Sequence, residues 1–243
     1  MRTLHIIMPM AGEGSRFLKE GWATPKPLIE LDGQPLFKHA INSVVDPNFP
    51  VKHSFIVRQE HIDKYSIDKG IRSFLPDANI ISVKMTTRGA VETCLIAESA
   101  IQDAEAVIVM DCDLEFSSKE FIRIIKESLN TPIEKVEGGA LVSFTSNNPR
   151  YSYAELGPDG NVVRTAEKEV ISSHALCGAY FFSTGRRFKE IAHQILNEPE
   201  FKKPEYYVSL LYNYLLVAGE KVHLASMEEY YSYGTPEELK RYL

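Results

Sequence analysis

Two glycines, an arginine and a delayed lysine form the first group of residues that could do chemistry. In "MPMAGEGSRFLKEGWATPKPL", Gly12 and Gly14 follow an apolar run, Arg16 comes two residues later, and Lys26 lies between two prolines. Glycines can adopt positive φ and turn backbone N–H groups toward phosphate oxygens. The two prolines restrict the backbone around Lys26 and so direct its ammonium group. The pattern favours a polyphosphate site over a plain strand-to-helix turn with a surface arginine.

A pair of aspartates forms the second group. Asp111 and Asp113 follow the apolar run of "VIVMDCDLEF", and side chains two positions apart on an extended chain point the same way. Carboxylates with waters and phosphates suit a hard divalent cation. The alternative is the start of a helix before "SSKEF", but Ser117 or Ser118 is a better N-cap residue. We therefore expect a cation site at Asp111 and Asp113.

The sequence lacks the motifs of several other classes of enzyme. Phe17 stands where a dinucleotide-binding turn has its third glycine, and no glycine-lysine-hydroxyl triplet forms a kinase-type P-loop. The seven histidines show no metalloprotease spacing, and no GxSxG segment presents a serine nucleophile.

Composition restricts the class of protein. The 243 residues carry a net charge of −6, which argues against a nucleic-acid partner. Three cysteines, Cys94, Cys112 and Cys177, lack CxxC spacing and indicate a reduced, cytoplasmic chain. No apolar run reaches membrane-spanning length, so membrane insertion is not expected.

Short apolar runs alternate with amphipathic segments through the first half of the chain. Strands are predicted at 4–10, 53–59, 79–85, 105–111 and 139–145. Helices are predicted at 35–45, 60–75, 90–102 and 118–129. This alternation indicates βαβ units and a mostly parallel sheet.

The pattern changes after residue 146. Two short strands joined through "GPDG" are predicted within 151–168, a further strand at 177–183, and helices in "GRRFKEIAHQIL" and "EYYVSLLYNYLLVAG". No linker separates the halves, so we expect one domain over 1–243, with a nucleotide-binding half (1–146) and an acceptor-binding half (147–243). Four tyrosines at helical spacing fit the core or an oligomer face, which leaves a homo-oligomer open: Tyr206, Tyr207, Tyr212 and Tyr214.

The order GxGxR, then PKPL ten residues after the arginine, then "IELDGQPLFKHAINSV", resembles the opening of nucleotidylyltransferases of the sugar-1-phosphate (pyrophosphorylase) superfamily. The resemblance implies a glycosyltransferase-A-like, three-layer α/β/α sandwich with a mixed, mostly parallel sheet. It also implies transfer of a nucleotidyl group from a nucleoside triphosphate to a small phosphate monoester, with Mg²⁺ and release of pyrophosphate.

The resemblance implies roles for particular residues of the first half. Arg16 would meet the β- and γ-phosphates, Lys26 the α-phosphate, and Asp113 the Mg²⁺ ion with help from Asp111. Residues expected to wrap the nucleotide are Met10, Ala11, Gly12 and Gly14. The segment "TTRGAVETCLIA" matches the stretch that lines the nucleobase, which implicates Lys84, Arg88 and Gly89. Its wording departs from that of the family, so the base stays open, as does a purely structural role for Arg88.

The resemblance continues in the second half. "AEKEVISSHALCGAYFF" is similar to a segment that binds the acceptor, which implies that Glu167 binds the acceptor and Lys168 its phosphate. Gly178, in the glycine-containing strand that follows, is the third residue expected to bind the acceptor. Glu169 replaces a proline of the family. In "YYSYGTPEELKRYL", Ser232 stands where the family often has a metal-binding aspartate, so the second ligand would come from Asp111 or from water, or would be absent.

The substrates are less narrowly defined. "GSRF" and "DCD" are similar to small cytidylyltransferases of surface-polysaccharide synthesis, which favours CTP with a sugar 1-phosphate or another small phosphorylated metabolite. One alternative is a DxD-type glycosyltransferase, which would not need the pair of Arg16 and Lys26. The other is a catalytically inactive regulatory homologue, against which the intact Lys26 and Asp113 argue.

Overall fold

Nine strands form the main sheet of the protein, whose computed structural model describes residues 1–199 and 201–243. The described strands are β1 (Leu4–Met10), β2 (Glu30–Leu31), β3 (Gln34–Pro35), β4 (Val51–Arg58), β5 (Asn79–Val83), β6 (Ala106–Met110), β7 (Leu114–Ser117), β8 (Gly139–Thr145), β9 (Ser152–Leu156), β10 (Val162–Glu167), β11 (His174–Phe182), β12 (Val222–Ser226) and β13 (Glu229–Ser232). The described helices are α1 (Ser15–Lys19), α2 (Leu36–Asn42), α3 (Gln59–Tyr65), α4 (Ile67–Phe74), α5 (Ala90–Leu95), α6 (Lys119–Asn130), α7 (Gly185–Leu196), α8 (Leu211–Val217) and α9 (Pro236–Leu239). Single 3₁₀ turns lie at Lys26–Leu28, Glu98–Ala100, Ile133–Lys135 and Val208–Leu210.

The centre of the sheet is parallel. β5, β4, β1 and β6 lie side by side in this order, and each neighbouring pair is parallel. All five residues of β6 are buried. Such a continuous apolar strand is expected where helices cover both faces of a parallel sheet.

The rest of the sheet is antiparallel or mixed. β11 runs antiparallel to β6, β8 and β9, while β12 pairs parallel with β8. β9 and β10 form a hairpin at the edge. Two small ladders, β2–β3 and β7–β13, lie outside the main sheet. The mixed sheet with a parallel centre confirms the predicted sheet type.

Helices pack on both faces of the sheet and complete three layers. Along β1 the side chains alternate: Ile6 and Met8 belong to one core cluster, and Ile7 to the other. The first cluster includes apolar residues of α2, α4 and α6, and the second includes those of α5, α7 and α8. This period-two division of an apolar strand confirms the predicted α/β/α sandwich.

Some element boundaries differ from the predictions. The predicted helix 60–75 is two helices, because Ser66 adopts a φ of 50° between them. The predicted helix 90–102 ends at Leu95 and continues as a 3₁₀ turn. The predicted strand 105–111 ends at Met110, so Asp111 lies in the following loop. Ser118 is the N-cap residue of α6 and accepts a hydrogen bond from the Phe121 backbone N–H, as predicted.

The three cysteines are buried and free. In the described ranges 1–199 and 201–243, no helix has the length and apolar character needed to cross a membrane.

Candidate active site

The carboxyl ends of two neighbouring strands, β1 and β6, bring the glycine loop and the aspartates to one edge of the sheet. β1 lies between β4 and β6 and runs parallel to both, so all three end at the same edge of the sheet. The glycine loop follows Met10 of β1, and Asp111 follows Met110 of β6. Ligands of open α/β sheets bind outside this edge.

Lys26 and Asp113 form an ion pair at this edge. Nζ of Lys26 donates a hydrogen bond to Oδ2 of Asp113 at 2.5 Å, and the side chains are 24% and 18% exposed. Burial by itself would lower the pKa of Lys26, but the negative charge of Asp113, with smaller contributions from Cys112 and Asp111, raises it above its ordinary value. Lys26 is therefore a permanent cation beside the predicted metal ligand.

Asp111 lies beside this pair at the floor of a cavity. Its side chain is open to the cavity, yet protein atoms surround it closely on the other sides. The loss of hydration among these atoms and the charge of Asp113 raise the pKa of Asp111 above its ordinary value, against the opposing effect of Lys26. The two carboxylates therefore repel each other, and a bound cation would reduce this repulsion.

Gly178 makes room for the Asp111 carboxylate. It lies within β11 at a φ of 102°, and its carbonyl accepts a hydrogen bond from the Asp111 backbone N–H at 2.9 Å. A Cβ atom at this position would lie 2.4 Å from Oδ2 of Asp111. Only glycine fits such a φ and such a contact without rearrangement.

Two cavities meet at Lys26. The first, of about 300 Å³, is lined by the glycine loop, and the second, of about 580 Å³, by the predicted metal and acceptor residues. Among the predicted residues, the first cavity is lined by Met10, Gly12, Gly14 and Lys26. The second is lined by Arg16, Lys26, Asp111, Asp113, Glu167, Lys168 and Gly178.

The glycine loop differs in detail from the prediction. Gly14 adopts a φ of 62° and is the N-cap residue of α1, whereas Gly12 is not among the glycines with positive φ. Gly12 instead leaves the space above it open, since an added Cβ atom would meet nothing within 4 Å. Ala11 is buried. Arg16, on α1, is exposed and lines the second cavity.

Glu167 and Lys168 form a wall of the second cavity. Oε2 of Glu167 accepts hydrogen bonds from the hydroxyls of Ser152 and Ser209 at 2.6 and 2.8 Å. The hydrogen bond from Lys168 Nζ to the Tyr207 hydroxyl, at 2.8 Å, is the main reason that the pKa of Lys168 is raised. The Lys168 backbone has a φ of 55°, an uncommon conformation for a residue with a Cβ atom.

The three residues predicted to line the nucleobase lie outside both cavities. Lys84 is exposed after β5, and Arg88 is bound to Glu92, with Nε 3.0 Å from Oε1. Gly89 has a φ of 141°, and a Cβ atom there would lie 2.5 Å from the backbone nitrogen of Tyr206. These contacts give Arg88 and Gly89 a structural role. Binding of the nucleobase by these residues stays a prediction.

The sequence did not single out several residues that line the cavities. Arg58 lines the first cavity. Its position near the carboxyl end of the strand predicted at 53–59 could have indicated a place at the site. Arg150 and Glu238 line the second cavity as an ion pair, and Arg150 also packs over the Tyr151 ring. No sequence pattern connects two residues 88 positions apart.

The acidic residues fit a magnesium ion held partly by substrate. Within the described part of the chain, no group of three His, Cys, Asp or Glu side chains could hold a metal. Asp111 and Asp113 line one cavity together with Ser232. Mg²⁺ commonly takes one or two carboxylates and completes its shell with waters and substrate phosphates, so two carboxylates suffice.

The sheet edge, the glycine loop and the cation–carboxylate pair form the arrangement that we expect of a nucleotidyltransferase among α/β proteins. The family model of the MobA-like NTP transferase domain matches residues 6–190, and the chain belongs to this family. It is therefore a nucleotidyltransferase, as the opening motifs predicted. No curated protein matches the chain closely enough in sequence to count as a relative.

Solved structures share the fold over nearly the whole chain. A nucleoside-diphosphate-sugar pyrophosphorylase from Vibrio cholerae RC9 is 27% identical, covers 98% of this chain and 99% of its own, and superposes with a TM-score of 0.80. A Bacillus anthracis protein assigned as a glucose-1-phosphate thymidylyltransferase is 19% identical, with 98% and 93% covered and a TM-score of 0.74. An inositol-1-phosphate CTP transferase from T. maritima is 15% identical, with 100% and 94% covered and a TM-score of 0.73.

Proposed function

We propose that the protein transfers a nucleotidyl group from a nucleoside triphosphate to the phosphate of a small acceptor and releases pyrophosphate. The observation that carries this proposal is the position of Lys26. Lys26 lines both cavities and is the cation nearest Asp113. A phosphorus atom bound beside it would therefore be accessible from both cavities. The glycine-loop cavity takes the nucleotide and the larger cavity the acceptor. The residues that line the first cavity all belong to 1–146, which supports this part of the single domain as the nucleotide-binding half. The second cavity is lined by residues of both halves, and 147–243 contributes the wall that contains Glu167 and Lys168.

The chemistry needs charge and alignment more than proton transfer. An acceptor phosphate is already a nucleophile near neutral pH, so no general base is required. The barrier comes from repulsion between two polyanions and from charge on the leaving pyrophosphate. Lys26 at the junction, Arg16 on α1 and Lys168 on the acceptor wall supply fixed positive charge at these places.

Asp113 and Asp111 are the residues that would hold Mg²⁺. The ion would neutralise phosphate oxygens and the two close carboxylates. Asp113 also accepts the hydrogen bond from Lys26, so the same carboxylate orients the ammonium group. Gly178 keeps the Asp111 carboxylate in place, because no side chain competes for that space.

The acceptor is a sugar 1-phosphate or another small phosphorylated metabolite. Lys168 pairs with the phosphate, and Glu167 accepts hydrogen bonds from hydroxyl groups or meets an ammonium group. Both of the serine hydroxyls bind Oε2 of Glu167, which leaves Oε1 for the ligand. The 27% identical Vibrio protein is described as a pyrophosphorylase of nucleoside-diphosphate sugars, which supports a sugar phosphate. The "GSRF" and "DCD" segments favour CTP and a product used for surface polysaccharide.

The test is release of pyrophosphate with each of the four nucleoside triphosphates and a panel of sugar phosphates and alcohol phosphates. We expect release that depends on both substrates and on Mg²⁺, and that stops with chelator. Release of a nucleoside diphosphate from a nucleotide sugar, with no pyrophosphate from any triphosphate, would instead identify the DxD-type glycosyltransferase.

A further inference from the structure

Arg58 occupies the strand end next to the glycine loop. It is the last residue of β4, and β4 is paired with β1 so that Val57 lies opposite Met10. On its other side β4 is paired with β5, where Arg58 lies opposite Val83. Arg58 therefore lies between the glycine loop and the segment that follows β5, and its side chain, 17% exposed, lines the first cavity.

The guanidinium group connects the two chain segments with a single nitrogen. Nη1 donates hydrogen bonds to the carbonyl oxygen of Ala11 at 3.3 Å and to the hydroxyl of Thr86 at 3.2 Å. The nearest carboxylate, that of Glu60, lies 4.0 Å from Nη2 and is hydrogen-bonded to Lys64. The bonds of Nη1 fix the orientation of the planar group without using its other donors.

The remaining edge of the guanidinium group makes no hydrogen bond within the described residues, and its nearest acceptor is Oε2 of Glu60, 4.0 Å from Nη2. Nε and Nη2 of Arg58 donate to no atom of residues 1–199 or 201–243, and neither nitrogen is sealed from solvent. The same edge of Arg88 is used differently, since its Nε and Nη2 both lie within 3.0 Å of the Glu92 carboxylate. Because Arg58 lines the first cavity, its two parallel N–H donors are available to a ligand bound there.

The position of Arg58 relative to the carboxylates separates it from the reacting phosphate. Asp111 and Asp113 follow β6, on one side of β1, and Arg58 ends β4 on the other side. The end of β4 and the end of β6 are therefore two strand spacings apart, which amounts to roughly 10 Å. With phosphates bound near Lys26 and Asp113, the far end of the cavity receives the base.

We propose that Arg58 selects the nucleobase by donating two parallel hydrogen bonds to a pair of adjacent acceptor atoms. Cytosine offers such a pair in N3 and O2, whereas uracil and thymine carry an N3–H donor that would oppose the guanidinium. Guanine offers the same chemistry through N7 and O6. The proposal rests on the proposed function, because it takes the glycine-loop cavity as the nucleotide site, and it assigns the preference for CTP to a residue outside the predicted base segment.

The experiment is calorimetric titration of CDP, UDP, GDP and ADP with Mg²⁺ and without acceptor, so that the result does not depend on turnover. The proteins are the wild type, Arg58→Gln, Arg58→Lys and the control Arg123→Gln, which removes an exposed arginine of α6. We expect the wild type to bind CDP more tightly than UDP, and both Arg58 variants to reduce this ratio by roughly 5- to 150-fold. Arg123→Gln should leave the ratio unchanged.

A preference for GDP that both Arg58 variants abolish would support the same paired-acceptor chemistry with guanine as the base. The proposal is wrong if the wild type does not distinguish CDP or GDP from UDP. It is equally wrong if the Arg58 variants weaken the binding of all four nucleotides by the same factor. Arg58 would then bind phosphate or only connect the segments of Ala11 and Thr86. Base-selective binding without pyrophosphate release from any acceptor would instead contradict the proposed function and leave the role of Arg58 standing.

Discussion

The ammonium nitrogen of Lys26 lies 2.5 Å from Oδ2 of Asp113, although 87 positions separate the two residues in the chain. Lys26 begins the 3₁₀ turn that follows α1, and Asp113 follows β6, so the contact depends on β1 and β6 packing side by side. Both cavities open onto Lys26. The pair therefore marks the point where the two proposed substrates would meet.

Replacing Lys26 by alanine should lower kcat by about 10²- to 10³-fold, because it removes a fixed positive charge at the reacting phosphate. Steady-state kinetics with saturating substrates measure this loss. Lys69→Ala removes an exposed lysine of α4 and is the control. A folded Lys26→Ala protein with the turnover of the control would rule out the assigned role.

Asp113→Asn should abolish most of the metal-dependent activity, and Asp111→Asn should reduce it less. Asp113 orients Lys26 as well as contributing to the metal site, whereas Asp111 provides an additional carboxylate. Activity as a function of Mg²⁺ concentration, together with Mg²⁺ binding by calorimetry, measures both effects. Wild-type activity that survives a chelator, or a larger loss in Asp111→Asn, would contradict a site centred on Asp113.

Glu167→Ala and Lys168→Ala should raise KM for the phosphorylated acceptor far more than KM for the nucleotide. Both side chains line the larger cavity, and neither lines the glycine-loop cavity. Titrating each substrate against a saturating concentration of the other separates the two constants. Weaker nucleotide binding with unchanged acceptor binding would mean that the two cavities are assigned the wrong way round.

Gly178→Ala should lower the free energy of unfolding by more than about 1 kcal/mol and remove most of the activity. The new methyl group would meet the Asp111 carboxylate at 2.4 Å, in addition to the strain of a φ of 102°. Gly160→Ala is a matched control, because its φ is 77° but an added Cβ atom meets nothing within 4 Å. Chemical denaturation and activity assays of the two variants compare strain alone with strain plus contact, and equal effects would contradict the role of Gly178.

Part of the main sheet could be predicted because strands such as β1 and β8 are largely apolar runs, and both were predicted with their observed limits. β12 and the small β7–β13 ladder were not, since short strands with mixed side chains carry no clear period and depend on partners distant in the chain.

The candidate site also combines residues of local motifs, which could be predicted, with contacts between distant segments, which could not. Lys26, Asp113 and Glu167 belong to local motifs, and the fold brings all three to the second cavity. The serines that fix Glu167 come from β9 and from a 3₁₀ turn that lies 42 residues further along the chain than Glu167. Such contacts arise only from tertiary packing, which no short motif records.

The most direct measurement follows labelled phosphorus through a single reaction. Nucleoside triphosphate labelled at the α- or the γ-phosphate is incubated with the acceptor and Mg²⁺, and the products are separated. Nucleotidyl transfer at Lys26 predicts that the α-label appears in the acceptor product and the γ-label in pyrophosphate. Transfer of the γ-label to the acceptor, or an acceptor product without α-label, would contradict the account.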